Sequence, residues 1–143
     1  MKMTRLQFCS LSFTWGIVMT VIGIMVAIAL LITGHKPKKW GYCFYFEVGS
    51  QWGGVSFGPV FLIQKNGGDN TKNHEHGHAC QNCIYGPFMI LISIASAIRY
   101  WYRELAYNRK GLRPPTDYDD VWYEGQATKF GTEIIEEIKL SED

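Results

Sequence analysis

A run of 29 residues without a charged side chain, 6–34, restricts what this chain can fold into. Its apolar centre, Leu11–Thr33, is 23 residues long, and a helix needs about 20 residues to cross a bilayer core. Basic residues flank the run on both sides, and Trp40 and Tyr42 follow at the position of an interfacial aromatic belt. A secretory signal has a shorter apolar core of about 7–15 residues. Residues 1–40 are therefore predicted to form a retained N-terminal membrane anchor that contacts the lipid bilayer.

A second uncharged run covers 79–98 and is interrupted by Gly86-Pro87. Because proline cannot continue the helix that precedes it, one helix is predicted to end near Tyr85 and another to begin near Pro87. The apolar helix over 87–107 is predicted to cross the membrane a second time. The alternative is that it packs on the membrane-bound face of a small domain.

The remaining pattern predicts a mainly helical α+β protein with a short β-hairpin. The two strands are predicted at 42–48 and 55–64, the second marked as an edge strand by Pro59. A further helix is predicted from about Asp117 to Phe130, ended by Gly131. The chain then divides into three parts: an anchor (1–40), a metal-binding unit (41–131) and an acidic surface tail (132–143).

Composition argues against a nucleic-acid partner. The 143 residues carry a net charge of only +1, so no strong positive field surrounds the chain. The basic and aromatic residues that follow the second apolar helix are better explained by contact with lipid head groups. The predicted partners are the bilayer and a peptide or membrane-protein substrate.

The most informative motif is His74-Glu75-x-x-His78, which matches the H-E-x-x-H pattern of zinc hydrolases. Side chains four residues apart lie on the same face of a helix, so both imidazoles can bind one ion. Neutral imidazoles suit Zn²⁺. The side chain of Glu75 projects beside this pair, where it can take a proton from water activated by the metal.

A catalytic zinc ion needs a third protein ligand and an open position. Glu124 is the candidate ligand, because it lies in the next predicted helix beside the small residue Ala127, and a carboxylate in an aromatic stretch requires a partner. Asp119 and Asp120 are rival ligands, and Asp120 alternatively orients a ligand histidine through a hydrogen bond. Tyr123 and Thr128 are further candidates to support a ligand or to contact the substrate. Tyr118 and Tyr123 are the candidate donors to the substrate's carbonyl oxygen.

At these residues the chain resembles the gluzincin metalloproteases, and it is most similar to small bacterial membrane proteins with an H-E-x-G-H helix, a Gly-Pro break and an E-x-x-A-x-x-x-G helix. The resemblance covers about 53–131. It implies that His74, His78 and Glu124 bind zinc, that Glu75 is the general base, and that an extended peptide lies along the strand near 55–63. It also implies a location in the bacterial cytoplasmic membrane. Where gluzincins often carry an aspartate four residues after the ligand glutamate, this chain has Thr128.

The same helix carries a second set of possible ligands, His76, Cys80 and Cys83. His76 points about 200° away from His74 around the helix. Three interpretations remain open for this set: packing in the core, a second metal or redox site, and a disulfide.

The sequence therefore predicts a membrane-bound zinc-dependent peptidase in which metal-activated water attacks a peptide bond. The alternative is a non-catalytic integral membrane protein with a structural zinc site or a partner-binding role. A closed set of four ligands that includes a cysteine would favour the alternative, whereas three ligands and an open position would favour the enzyme.

Overall fold

Five α-helices and a four-stranded sheet make up the chain, and 62% of it is helical. The computed structural model describes residues 1–143. The predicted α+β class is confirmed, although the sheet is larger than the predicted hairpin. In chain order the elements are α1 (Arg5–Ser12), α2 (Ile17–Ile32), β1 (Lys38–Trp40), β2 (Cys43–Glu47), β3 (Gly54–Phe57), β4 (Val60–Ile63), α3 (Asp69–Tyr85), α4 (Met89–Ala106) and α5 (Trp122–Glu142).

The prediction of one continuous helix over Leu11–Thr33 is wrong. The chain breaks after α1, and the axes of α1 and α2 differ by 91°. Helix α1 packs against the interior of the protein, where Phe8 is only 1% exposed. In the bend between α1 and α2, the Trp15 indole donates a hydrogen bond to the Ile84 carbonyl at 3.0 Å. The first 12 residues therefore pack against the core formed by the strands and α3, and they do not extend the apolar helix.

By length and composition, one helical stretch is suited to cross a membrane. It is the stretch Asp69–Lys110, which contains an 18-residue window with a mean hydropathy of 1.5. The pair α1 and α2 passes the same test only if the bent pair is counted as one span. With 16 residues, α2 alone is about 24 Å long, somewhat less than a hydrocarbon core of about 30 Å.

The sheet has the strand order β1-β2-β4-β3. The segment 55–64, predicted as one strand, is a hairpin in which Gly58, with a φ of +64°, and Pro59 form the turn between β3 and β4. Strands β2 and β4 are parallel, and β1 was not predicted. As a result β3, rather than the whole segment, forms one free edge of the sheet.

The break at Gly86-Pro87 lies where the sequence predicts it. α3 ends at Tyr85, a single 3-10 turn follows, and α4 begins at Met89. α3 lies against the sheet on one side and against α5 on the other. The inward face of α3 contributes Ala79, Cys80 and Cys83 to the core. The strands add Cys43, Tyr45, Phe61 and Ile63, and α5 adds Ile134.

The predicted end of the last helix at Gly131 is wrong, because α5 continues to Glu142. A Cβ atom at Gly131 would lie 1.7 Å from the Asn73 carbonyl oxygen, and one at Gly77 would lie 1.7 Å from the Ala127 carbonyl oxygen. These glycines allow the backbones of α3 and α5 to touch. The predicted surface tail 132–143 is helical over almost its whole length and contributes Ile134 and Ile135 to the interior.

Candidate metal centre

The close contact of α3 and α5 brings two imidazoles and one carboxylate to a single point. His74 and His78 lie one turn apart on α3, and their Nε2 atoms lie 2.9 and 3.2 Å from Oε2 of Glu124. Glu124 is completely buried in the first turn of α5. One ligand atom from each of these three residues lies within 4.8 Å of the others, so the group could hold a metal ion. No other group of three histidine, cysteine or acidic side chains meets this condition.

Both imidazoles are held from behind through Nδ1. The Nδ1 atom of His78 lies 2.7 Å from Oε1 of Gln81, while the Gln81 amide nitrogen donates to the Tyr123 carbonyl at 2.8 Å and to Oε1 of Gln126 at 3.0 Å. Because these bonds fix the amide orientation, Nδ1 of His78 is a donor. The Nδ1 atom of His74 lies 2.7 Å from the Thr128 hydroxyl. This arrangement leaves the Nε2 atoms free to face Glu124.

The contact between His78 and Glu124 needs a proton or a metal ion between the two groups. A neutral His78 with its proton on Nδ1 directs the lone pair of Nε2 at the Glu124 carboxylate, and two acceptors in contact repel each other unless a proton or a metal ion lies between them. Burial alone would raise the pKa of Glu124, but its hydrogen bonds to His74 and His78 hold the pKa well below the ordinary range. Glu124 therefore stays ionised, as a metal ligand must.

The second oxygen of Glu124 contacts residues from outside α3. Oε1 accepts a hydrogen bond from the Ser96 hydroxyl on α4 and lies 3.4 Å from the Tyr118 hydroxyl. The guanidinium group of Arg99 lies 4.9 Å from the centre of the Tyr118 ring and donates to the Tyr118 carbonyl at 2.6 Å. These contacts orient the carboxylate and hold Tyr118 at the entrance of the site.

Glu75 lies beside the ligand group and is 4% exposed. Its Oε2 atom is buried without a hydrogen-bond partner. A Cβ atom at Gly54 on β3 would lie 2.9 Å from Oε1 of Glu75, so the glycine leaves room for the carboxylate. An unpaired buried carboxylate beside metal-ligating side chains is suited to accept a proton.

Two cavities meet at the ligand group. One, of about 240 Å³, is lined by His78 and Glu75 together with residues of β3 and α4. The other, of about 540 Å³, is lined by His74 and Glu75 together with residues near the start of α3 and from α5. Both are also lined by Gly54, so the free edge of β3 borders the cleft on either side of Glu75.

Three of the candidate residues from the sequence lie outside the ligand group. Asp120 is exposed, and its carboxylate accepts a hydrogen bond from the Asp117 amide in the turn before α5. Tyr123 contributes its backbone carbonyl to the support of Gln81, and its ring packs against Trp122. Asp119 borders the larger cavity but does not join the ligands.

Sequence reasoning missed Ser96 and Gln81. Ser96 gives no local signal, because α4 brings it to Glu124 only through tertiary packing. Gln81 could have been found, since it lies three residues after His78 and therefore on the same face of α3.

The second set of possible ligands packs in the core. Nε2 of His76 accepts a hydrogen bond from the Tyr42 amide at 3.0 Å, and its Nδ1 lies 3.6 Å from the Cys80 sulfur. The Cys83 thiol donates to the Phe8 carbonyl at 3.6 Å. The three residues do not form a metal-ligating group, and all four cysteines are free.

The chemistry of the donor set fits a divalent metal ion. Two imidazole nitrogens and one carboxylate oxygen make up the set, and an unpaired acidic side chain, Glu75, stands next to it. Three protein ligands leave positions for other molecules in the coordination sphere. No family model, curated protein or solved structure matches this chain.

Proposed function

We propose that the chain is a membrane-bound, zinc-dependent peptidase. The observation that carries the proposal is the convergence of His74, His78 and Glu124 beside the buried, unpaired carboxylate of Glu75. Zinc is the proposed metal because His74, Glu75 and His78 have the H-E-x-x-H spacing of zinc hydrolases, and a carboxylate is a known third ligand in such sites. When bound, zinc supplies a Lewis acid that acidifies water and polarises a carbonyl group.

Two side chains of the site, Glu75 and Tyr118, have separate roles in the proposed hydrolysis. Glu75 accepts a proton from water as the water oxygen bonds to the peptide carbonyl carbon. It then transfers that proton to the amide nitrogen as the carbon–nitrogen bond breaks, so that a carboxylate and an amine are released. Tyr118 borders both cavities, and its hydroxyl must leave Oε1 of Glu124, 3.4 Å away, to donate a hydrogen bond to the carbonyl oxygen.

The free edge of β3 supports a peptide as the substrate. β3 pairs only with β4, and its residues Gly54–Ser56 line the smaller cavity next to Glu75. An extended peptide can add to such an edge through backbone hydrogen bonds. This contact would lay the peptide backbone across the ligand group.

The structural-zinc alternative has less support. A closed site requires a fourth protein ligand, and cysteine is the usual one in structural sites. Cys80 and Cys83 lie in the core on the opposite face of α3, where their thiols contact His76 and Phe8. The histidines of the donor set instead border the cavities, His78 the smaller one and His74 the larger one.

Glu75→Gln tests the mechanism. The variant keeps the size of the side chain but cannot accept the proton, so we expect unchanged zinc content and a loss of peptide hydrolysis of about 10²–10⁴-fold. Zinc is measured by mass spectrometry of the metal, and hydrolysis is measured on a mixed peptide pool with the full chain in detergent. The control is Glu136→Gln, an exposed glutamate of α5, which should behave as wild type. Full activity in zinc-loaded Glu75→Gln would overturn the mechanism.

A further inference from the structure

The smaller cavity beside Glu75 is apolar away from the site itself. Its walls include the aromatic side chains of Trp52 and Trp101, and Val55 of β3 borders it. From α4 the lining includes the small residues Ser93, Ser96 and Ala97 as well as the aromatic residues Tyr100 and Trp101. Apart from Glu75 and His78, no acidic or basic side chain lines this cavity. A space of about 240 Å³ with such walls suits one large apolar side chain.

The larger cavity has the opposite character. It is lined by uncharged polar side chains, Asn70, Thr71 and Thr132, and by the carboxylate of Asp119. No lysine or arginine lines it. The polar side chains of this cavity can form hydrogen bonds with polar groups of a ligand, directly or through water. The carboxylate of Asp119 attracts a cationic side chain.

Both cavities share Gly54, Glu75, Tyr100 and Tyr118. A peptide laid along β3 across Glu75 therefore has one side chain in each cavity, on the two sides of the bond at the ligand group. We propose that the substrate is a peptide in which the bond to be cleaved joins a large apolar residue to a polar or basic one. This inference rests on the proposed peptidase function and adds the substrate class.

The first measurement is peptide binding without turnover. Zinc-loaded Glu75→Gln is titrated calorimetrically with four extended peptides that differ only at the two central residues: Leu-Lys, Gly-Lys, Leu-Glu and Gly-Glu. We expect Leu to bind at least tenfold more tightly than Gly, because an apolar side chain leaves water on entering the smaller cavity. We also expect Lys to bind more tightly than Glu, a difference that Asp119→Asn should reduce.

A variant of α4 then tests which cavity holds the apolar residue. Ala97→Phe places a ring in the smaller cavity and should remove most of the preference for Leu over Gly. The matched control is Ile98→Phe, which changes a residue that is 66% exposed and does not line the cavity, and it should keep the preference. Circular dichroism of both variants checks that they are folded.

Hydrolysis of the same four peptides by wild type separates the two proposals. If Glu75→Gln shows the expected binding order but wild type cleaves no peptide, the peptidase proposal is overturned and the assignment of the cavities stands. If wild type cleaves the peptides without preferring Leu-Lys, or if Ala97→Phe keeps the preference for Leu, the assignment is overturned and the peptidase proposal stands. If Glu75→Gln binds none of the peptides and wild type cleaves none, both proposals are overturned.

Discussion

At the scale of single residues, the hydrogen bonds behind the two imidazoles decide whether the site can bind a metal. Gln81 holds Nδ1 of His78, and Thr128 holds Nδ1 of His74, each at 2.7 Å. Such contacts fix the tautomer and the ring orientation, so that Nε2 presents its lone pair to the ion. Thr128 lies four residues after Glu124, one turn along α5, and this spacing places its hydroxyl beside His74.

Thr128→Val should therefore weaken metal binding. Valine has nearly the same shape as threonine but cannot bond to His74, and loss of this kind of support typically costs about 10–100-fold in metal affinity. The affinity is measured by competition with a zinc-binding dye. Thr132→Val, which changes a neighbouring threonine of the same cavity, is the control and should keep the wild-type affinity. Equal affinity in the two variants would show that the Thr128 contact is not needed.

How far the site could be predicted depends on whether a contact is local. Helix geometry alone places His74 and His78 on one face of α3, and it also places Glu75 beside them. Glu124 could be proposed because a buried carboxylate needs a cation. Ser96 could not, since its contact with Glu124 arises only when α4 folds back across the site.

At the scale of the elements, the distance between α3 and α5 determines the site. His74 and His78 come from α3 and Glu124 from α5, so the three ligands meet only if the two helices are in contact. Gly77 and Gly131 provide this contact, because each lies against a backbone carbonyl of the other helix.

Gly131→Ala tests this packing. The added methyl group would lie 1.7 Å from the Asn73 carbonyl oxygen, so the helices must move apart. Overpacking of this kind costs about 1–3 kcal/mol, against a gain of about 1 kcal/mol in helix propensity. We expect a lower midpoint of chemical denaturation and weaker zinc binding. Gly68→Ala has open space around it and should change neither; a stable, zinc-binding Gly131→Ala would contradict the proposed role of the glycine.

Glycine also explains why two elements differ from the sequence prediction. In the sequence, Gly131 fits the pattern of a glycine that ends a helix. A glycine is nevertheless tolerated inside a helix where the backbone of another element approaches closely. The hairpin of β3 and β4 was predicted as one strand because its turn is only Gly58-Pro59 and the residues on both sides are apolar. In both cases the local sequence is compatible with two structures, a continuous element or one that is interrupted at the glycine. Tertiary contacts decide which of the two forms.

At the scale of the whole molecule, apolar side chains are exposed along α2 and α4. On α2, Met25 and Ile28 are 65% and 52% exposed, and on α4, Leu91 and Ile98 are 63% and 66% exposed. Surfaces of this kind mark sites of contact with a membrane or another protein. Together with the uncharged run 6–34, they support the proposed membrane attachment.

Replacement of Met25 and Ile28 on α2 and of Leu91 and Ile98 on α4 by aspartate in one variant tests the attachment. Each carboxylate placed in a bilayer core costs about 2.5–3.5 kcal/mol, so this variant should move from the membrane pellet to the supernatant in an alkaline carbonate wash. Wild type and Leu140→Asp, which changes an exposed residue at the end of α5, should stay in the pellet. Wild type in the supernatant would contradict the attachment.

The metal centre is tested most directly by X-ray absorption at the zinc edge on the purified, zinc-loaded full chain. The expected spectrum contains only nitrogen and oxygen neighbours at about 2.0–2.2 Å, with the outer-shell scattering of two imidazole rings from His74 and His78. The Glu124→Ala variant should lose most of its bound zinc. A sulfur neighbour at about 2.3 Å, or a wild-type chain that holds no zinc, would contradict a centre built from these two histidines and Glu124.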